Sequence, residues 1–167
     1  MLNNTITENI LASKNVKIAK RFSNDELKYM NYFYKKTQEF PENIIIYNRF
    51  IFFFIKDQVY FSILKYIPEL RKELSAFKLL IIRDETNLLK LCLSFFPDIY
   101  IHDIKLKIER RRNRILISLY TLDYNDRGIA IGKRGNYIKT VNDVLKNYVE
   151  VQEVSLPIEI EVIIVNI

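Results

Sequence analysis

The sequence predicts an α+β protein with a mostly helical first half and a mixed second half. Three observations predict it. Apolar residues recur at helical spacing through the 20s to the 40s and again after Pro68. Apolar residues alternate with charged ones at 104–108 and at 158–164, the two-residue period of a half-buried strand. All three glycines of the chain, Gly128, Gly132 and Gly135, fall within eight residues. At 167 residues, 49% apolar and 28% charged, the chain is long enough to bury a core without disulfides or metal.

Taken in order, Ser23-Asn24-Asp25-Glu26 is a helix start, with a polar cap and acidic residues in the first turn. Leu27, Met30, Phe33, Tyr34 and Phe40 continue it, and Pro41 closes it. The run from Ile44 to Ile55 reads as one buried strand; it is too short and too polar to span a bilayer. Pro68 fits the first turn of a further helix carrying Leu70, Leu74 and Phe77. The polar stretch Arg83 to Thr86 marks the expected boundary, giving a helical segment 1–83 and a second domain 84–167. A helix follows from about Thr86 to Phe96. Two strands come next, Ile104–Ile108 and Ile115–Leu122, joined by Arg110-Arg111-Arg112-Asn113-Arg114 as a basic hairpin tip. Gly128 to Ile131 reads as a short apolar turn before Gly132-Lys133-Arg134-Gly135. A helix from Asn136 and a closing strand from Pro157 to Val165 complete the chain.

Composition narrows the function. Lys and Arg number 26 against 20 Asp and Glu, a net charge of +6 that favours an anionic partner, nucleic acid first. A single cysteine, Cys92, and a single histidine, His102, exclude a disulfide framework and most zinc sites. No nucleophile, base and orienting residue assemble in the sequence, so no enzyme, metal or cofactor is expected. Ile, Asn, Lys, Phe and Tyr supply 79 of the 167 residues, a bias toward AT-rich codons that points to an organellar genome. Neither a secretory signal nor a transit peptide is expected at the N-terminus.

The glycine cluster carries the functional reading. Two glycines let the backbone turn tightly and approach a phosphate chain, Lys133 and Arg134 supply charge, and a helix start follows. The spacing does not fit a P-loop or a dinucleotide fingerprint. Arg110, Arg111, Arg112 and Arg114 form the densest basic cluster, suited to bidentate phosphate contact. Arg127, Lys139 and Tyr137 flank the loop and complete the expected RNA-binding set; for Tyr124 and Tyr137, base stacking and plain packing are both open. Asp123 and Asp126 are read as turn formers rather than metal ligands.

Residues 127–141, Arg-Gly-Ile-Ala-Ile-Gly-Lys-Arg-Gly-Asn-Tyr-Ile-Lys-Thr-Val, strongly resemble the signature of a type II KH domain, as does the order helix, strand, strand, short helix, GxxG, helix, strand. The resemblance covers residues from about 84 to 167. It is nearest to the KH domain of small-subunit ribosomal protein number three, and next to the KH modules of the transcription elongation and antitermination factor NusA. The ribosomal resemblance implies an RNA-binding structural protein of an organellar small subunit, mitochondrial in the first place and plastid as the alternative. It implies contact with small-subunit rRNA, with mRNA near its entry, and with neighbouring ribosomal proteins through the first half, and no membrane. The NusA resemblance implies nascent RNA and RNA polymerase as partners.

Overall fold

The structure, a computed structural model, describes residues 2–19 and 22–165, with side chains from Thr7 onward. Its contacts divide the chain into two compact units, residues 18–85 and residues 1–17 with 86–167. The fold is α+β. No helix among the described residues is long and apolar enough to cross a membrane.

The chain opens with α1 (Leu2–Ala12) and β1 (Val16–Ile18). The unit 18–85 then begins with α2 (Asn24–Thr37), where the Ser23 N–H donates to the Glu26 carboxylate at 2.7 Å in a capping box. Gln38, at φ 63°, ends the helix. Next come β2 (Asn43–Tyr47) and β3 (Phe50–Ile55), which pair antiparallel with Ile45 opposite Phe52. The single strand expected over 44–55 is therefore a hairpin. Asn48, at φ 53°, turns the chain, as asparagine does more readily than other side chains.

A right-sized crossover of α3 (Asp57–Ile63), a 3-10 turn and α4 (Ile67–Glu73) leads to β4 (Lys78–Arg83), which runs parallel to β3. The sheet order is β2-β3-β4. The first half is thus mixed rather than mostly helical, and the helix expected through Phe77 stops before Leu74. The cause lies in burial. Every residue of β3 is buried, and half of β4 is, so both read as continuous apolar runs without the alternation that announces a strand. Phe33 of α2 stacks on Phe53 with ring centroids 4.6 Å apart, at the centre of a core with Ile51, Ile55, Ile63 and Leu70.

The second unit starts with α5 (Leu88–Ser94), capped by Asn87, whose side chain accepts the Lys90 N–H at 3.2 Å. β5 (Asp103–Glu109) and β6 (Arg114–Thr121) form the expected antiparallel hairpin. Its tip is a 3-10 turn over Arg110–Arg112, closed by Asn113 at φ 50°. α6 (Tyr124–Ile131) follows, then the glycine loop, α7 (Asn136–Tyr148), β7 (Val149–Val151) and β8 (Ile158–Ile164). β8 lies parallel to β6, giving the order β5-β6-β8. Ile115, Ile117, Leu119, Ile160 and Val162 alternate toward Val141, Val144 and Leu145 of α7, all buried. The Asn142 side chain fixes α7 to β8: it donates to the Ile160 carbonyl at 3.0 Å and accepts the Ile160 N–H at 2.7 Å.

Residues 1–17 group with 86–167 and not with the segment 1–83 in which the sequence placed them. Short backbone bonds hold them there: Val16 N–H to Thr86 O at 2.8 Å, Leu88 N–H to Lys14 O at 3.1 Å and Gln152 N–H to Asn15 O at 2.9 Å. β1 pairs with β7, a contact of residues some 130 apart that no local pattern encodes.

Candidate nucleic-acid interface

The loop between α6 and α7 is built by its two glycines. Asp123 caps α6 by accepting the Asp126 N–H at 2.8 Å, which accounts for both acidic residues without a metal. The apolar turn expected over Gly128–Ile131 is the last part of this helix. Gly132 then adopts φ 76°, ψ 172°, a region open essentially to glycine alone. A Cβ there would lie 2.7 Å from the Tyr137 Cβ and 3.0 Å from its backbone nitrogen. Gly135 adopts φ 73° with open space around it, and Arg134 between them is left-handed at φ 56°. Gly135 N–H donates to the Gly132 carbonyl at 3.1 Å, closing a single 3-10 turn. Lys133 and Arg134 are exposed on its outside. The loop presents two cations at the start of α7.

Lys139, one turn into α7, lines a groove of about 540 Å³ with Asn142, Lys146, Ile158 and Arg112. Arg112 also belongs to the hairpin tip, where it lies beside the exposed Arg110 and Arg111. The groove so joins the middle of α7 to the basic tip. Asp143 and Glu159 line it too, so its charge is mixed. Lys146 was not anticipated. Its signal is the seven-residue step from Lys139, two helical turns along one face.

Two expected contacts are committed elsewhere. Arg114 Nε donates to Glu109 at 2.6 Å and its Nη1 to Glu159, and its side chain is only 13% exposed. Hydrogen bonding to Arg114 holds the Glu109 carboxyl below the ordinary carboxylate range, and the two glutamates raise Arg114 in turn. Arg114 thus ties β5, β6 and β8 together across the outer sheet face. Tyr137 packs edge-on against Phe96 with centroids 5.7 Å apart, and its hydroxyl donates to the Phe95 carbonyl. Burial pushes its phenol up. This ring is an anchor for the start of α7, not a stacking surface. Arg127 is exposed, with its Nε donating to the Val162 carbonyl at 3.4 Å.

Burial pushes the Cys92 thiol up to about 12, which keeps it protonated and inert. The described residues contain no group of three or more His, Cys, Asp or Glu placed to hold a metal ion.

No protein-family model and no curated protein matches the sequence. Among solved structures, the chain is similar to one described as "Crystal structure of APE1850", with a TM-score of 0.58 and 19% identity, over 86% of this chain and 99% of the other. At that identity the likeness is one of fold.

Proposed function

We propose that the protein binds RNA through a type II KH domain formed by α5, β5, β6, α6, the glycine loop, α7 and β8. The observation that carries this reading is the loop itself: two glycines at positive φ holding exposed Lys133 and Arg134 between two helices that pack on a sheet with β6 and β8 parallel. Such a loop clamps the backbone of about four nucleotides. The exposed Arg110–Arg112 tip and Lys139 add phosphate contacts. With the resemblance at 127–141 and the AT-rich composition, the reading extends to a structural RNA-binding protein of an organellar small ribosomal subunit.

Lys133→Asp with Arg134→Asp tests the RNA reading. Both side chains are exposed, so the fold is retained. Each lost phosphate contact on a single strand removes roughly 0.7 from the slope of log affinity against log salt. The double variant should therefore bind single-stranded RNA more weakly, with a slope shallower by roughly 1.4. Equal affinity and equal slope would remove the loop from the interface. Co-migration with small subunits through a high-salt gradient tests the ribosomal assignment; co-purification with RNA polymerase would replace it with the NusA-like one.

A further inference from the structure

The helix-free face of the second unit's sheet carries a charge pattern fixed by strand register. Ile115, Ile117 and Leu119 of β6 are buried toward α7, so Leu116, Ser118 and Tyr120 face the other way. Lys105 lies opposite Ser118, which lies opposite Glu161. Lys107 lies opposite Leu116, which lies opposite Glu159. Both rows read basic, neutral, acidic, so the face has a basic side along β5 and an acidic side along β8. The centre is low. Leu116 and Ser118 are each 7% exposed and line a groove of about 800 Å³. The two sides stand open: the Lys105 side chain is 65% exposed and the Glu159 side chain 48%. Both carboxylates are held in place, Glu159 by Arg114 and Glu161 by the Ser118 hydroxyl, which donates to it at 2.6 Å.

We propose that this face is the contact surface between two copies of the chain. A twofold axis parallel to the strands, lying between two such faces, sets β5 of each copy over β8 of the other and keeps every row at its own height. Lys105 then meets Glu161 of the second copy and Lys107 meets Glu159 of the second copy. Symmetry repeats both, which gives four ion pairs. Stacked sheets lie about 10 Å apart, a gap that a lysine and a glutamate side chain close together. A twofold axis across the strands would set lysine on lysine and glutamate on glutamate, so charge selects the first arrangement. RNA does not fit this face, because phosphates drawn to β5 are repelled along β8. The face measures about 14 by 23 Å, smaller than a standard interface, so the pairing is weak and reversible. The same axis sets both Arg110–Arg112 tips at one end of the dimer, where their repulsion works against it. The inference rests on register and charge and not on the glycine loop being an RNA site.

Sedimentation equilibrium of the full chain, from micromolar to millimolar at about 0.1 M salt, tests it. Monomers and dimers alone are expected, since twofold pairing uses the face up. Lys105→Glu with Lys107→Glu should weaken the dimer by about 15-fold or more, four exposed pairs at about twofold each. Glu159→Lys with Glu161→Lys should weaken it likewise. An equimolar mixture of these two variants should pair again, because every contact of the mixed dimer is once more between opposite charges. Circular dichroism shows whether the glutamate variant folds; where it does not, the lysine variant decides alone. Arg110→Ser with Arg111→Ser and Arg112→Ser should tighten the dimer, and a loosened dimer would overturn the choice of axis. A parent chain that stays monomeric throughout, or a lysine variant that pairs as the parent does, overturns the proposal. A lysine variant that loses RNA binding with its oligomeric state unchanged would give the face to RNA instead.

Discussion

Gly132→Ala and Gly135→Ala differ by one methyl group each, in one loop, at nearly the same φ, yet the structure gives them different costs. At Gly135, φ 73° and ψ 11° lie near the left-handed helical region, and the new Cβ meets nothing. The expense is the left-handed penalty of about 1–2 kcal/mol, less about 0.4–1 kcal/mol regained because alanine narrows the unfolded chain. The net loss is about 1 kcal/mol. At Gly132, ψ 172° moves the residue out of that region into one that side chains rarely enter, at a cost of about 1–3 kcal/mol. The Cβ would also stand 2.7 Å from the Tyr137 Cβ, so α7 must shift at its first turn. That shift strains the Tyr137 hydroxyl bond to Phe95, worth about another 1 kcal/mol. Gly132→Ala should therefore cost about 2–4 kcal/mol by the same principles. For a chain of this size the corresponding drop in melting temperature is about 4–16 °C, against about 2–4 °C for Gly135→Ala. Urea unfolding followed by circular dichroism, with thermal melts in parallel, measures both. Equal losses for the two variants, or a larger loss for Gly135→Ala, would refute the steric argument and with it the account of why the loop has its shape.

Two further outcomes follow from side chains that hold the second unit together. Asn142→Ala removes both bonds to Ile160 and should destabilise by about 1–3 kcal/mol in urea, while Asn142→Asp should do worse by setting a carboxylate against the Ile160 carbonyl. Glu109 has its folded-state affinity for protons depressed by Arg114, so its stabilisation is present above the ordinary glutamate value near 4.3 and is lost as pH falls through the lower folded value. Glu109→Gln should accordingly lower the urea midpoint at neutral pH and lose that difference in acid; a difference independent of pH would place the effect in packing rather than charge.

Much of the second unit is legible in the sequence because its elements are half-exposed. Lys105 and Lys107 alternate with Ile104, Leu106 and Ile108, and the strand is where that pattern puts it. The three clustered glycines mark the loop in a chain otherwise poor in them. The first unit is less legible because its central strand, β3, is buried on both faces and shows no period. Asn48 with Arg49 is the one polar break within 44–55 and marks the hairpin turn, but the apolar runs on both sides read as a single strand. Arg114 and Tyr137 show a different limit. Sequence places each beside functional neighbours, but their partners, Glu159 and Phe95, stand 45 and 42 residues away. Whether a cation faces solvent or a carboxylate is decided by the sheet register, not by the run of arginines it belongs to.

The pairing of β1 with β7 also has a consequence for synthesis. Synthesis runs from β1 through residues 18–85 to β7, so the strand that completes the second unit is made before that stretch and its partner after it. Residues 18–85 emerge whole in between and have a core of their own. Joining 1–17 to 86–167 across an unstructured stretch of that length would cost about 4 kcal/mol in closure entropy. A stretch that has already folded leaves far less freedom to lose. The nascent chain is therefore expected to complete the inserted unit first and to keep β1 unpaired until β7 arrives. A fragment cut at residue 84 would lack β1 altogether and leave the backbone of Thr86, Leu88 and Gln152 without the partners they have in the intact chain.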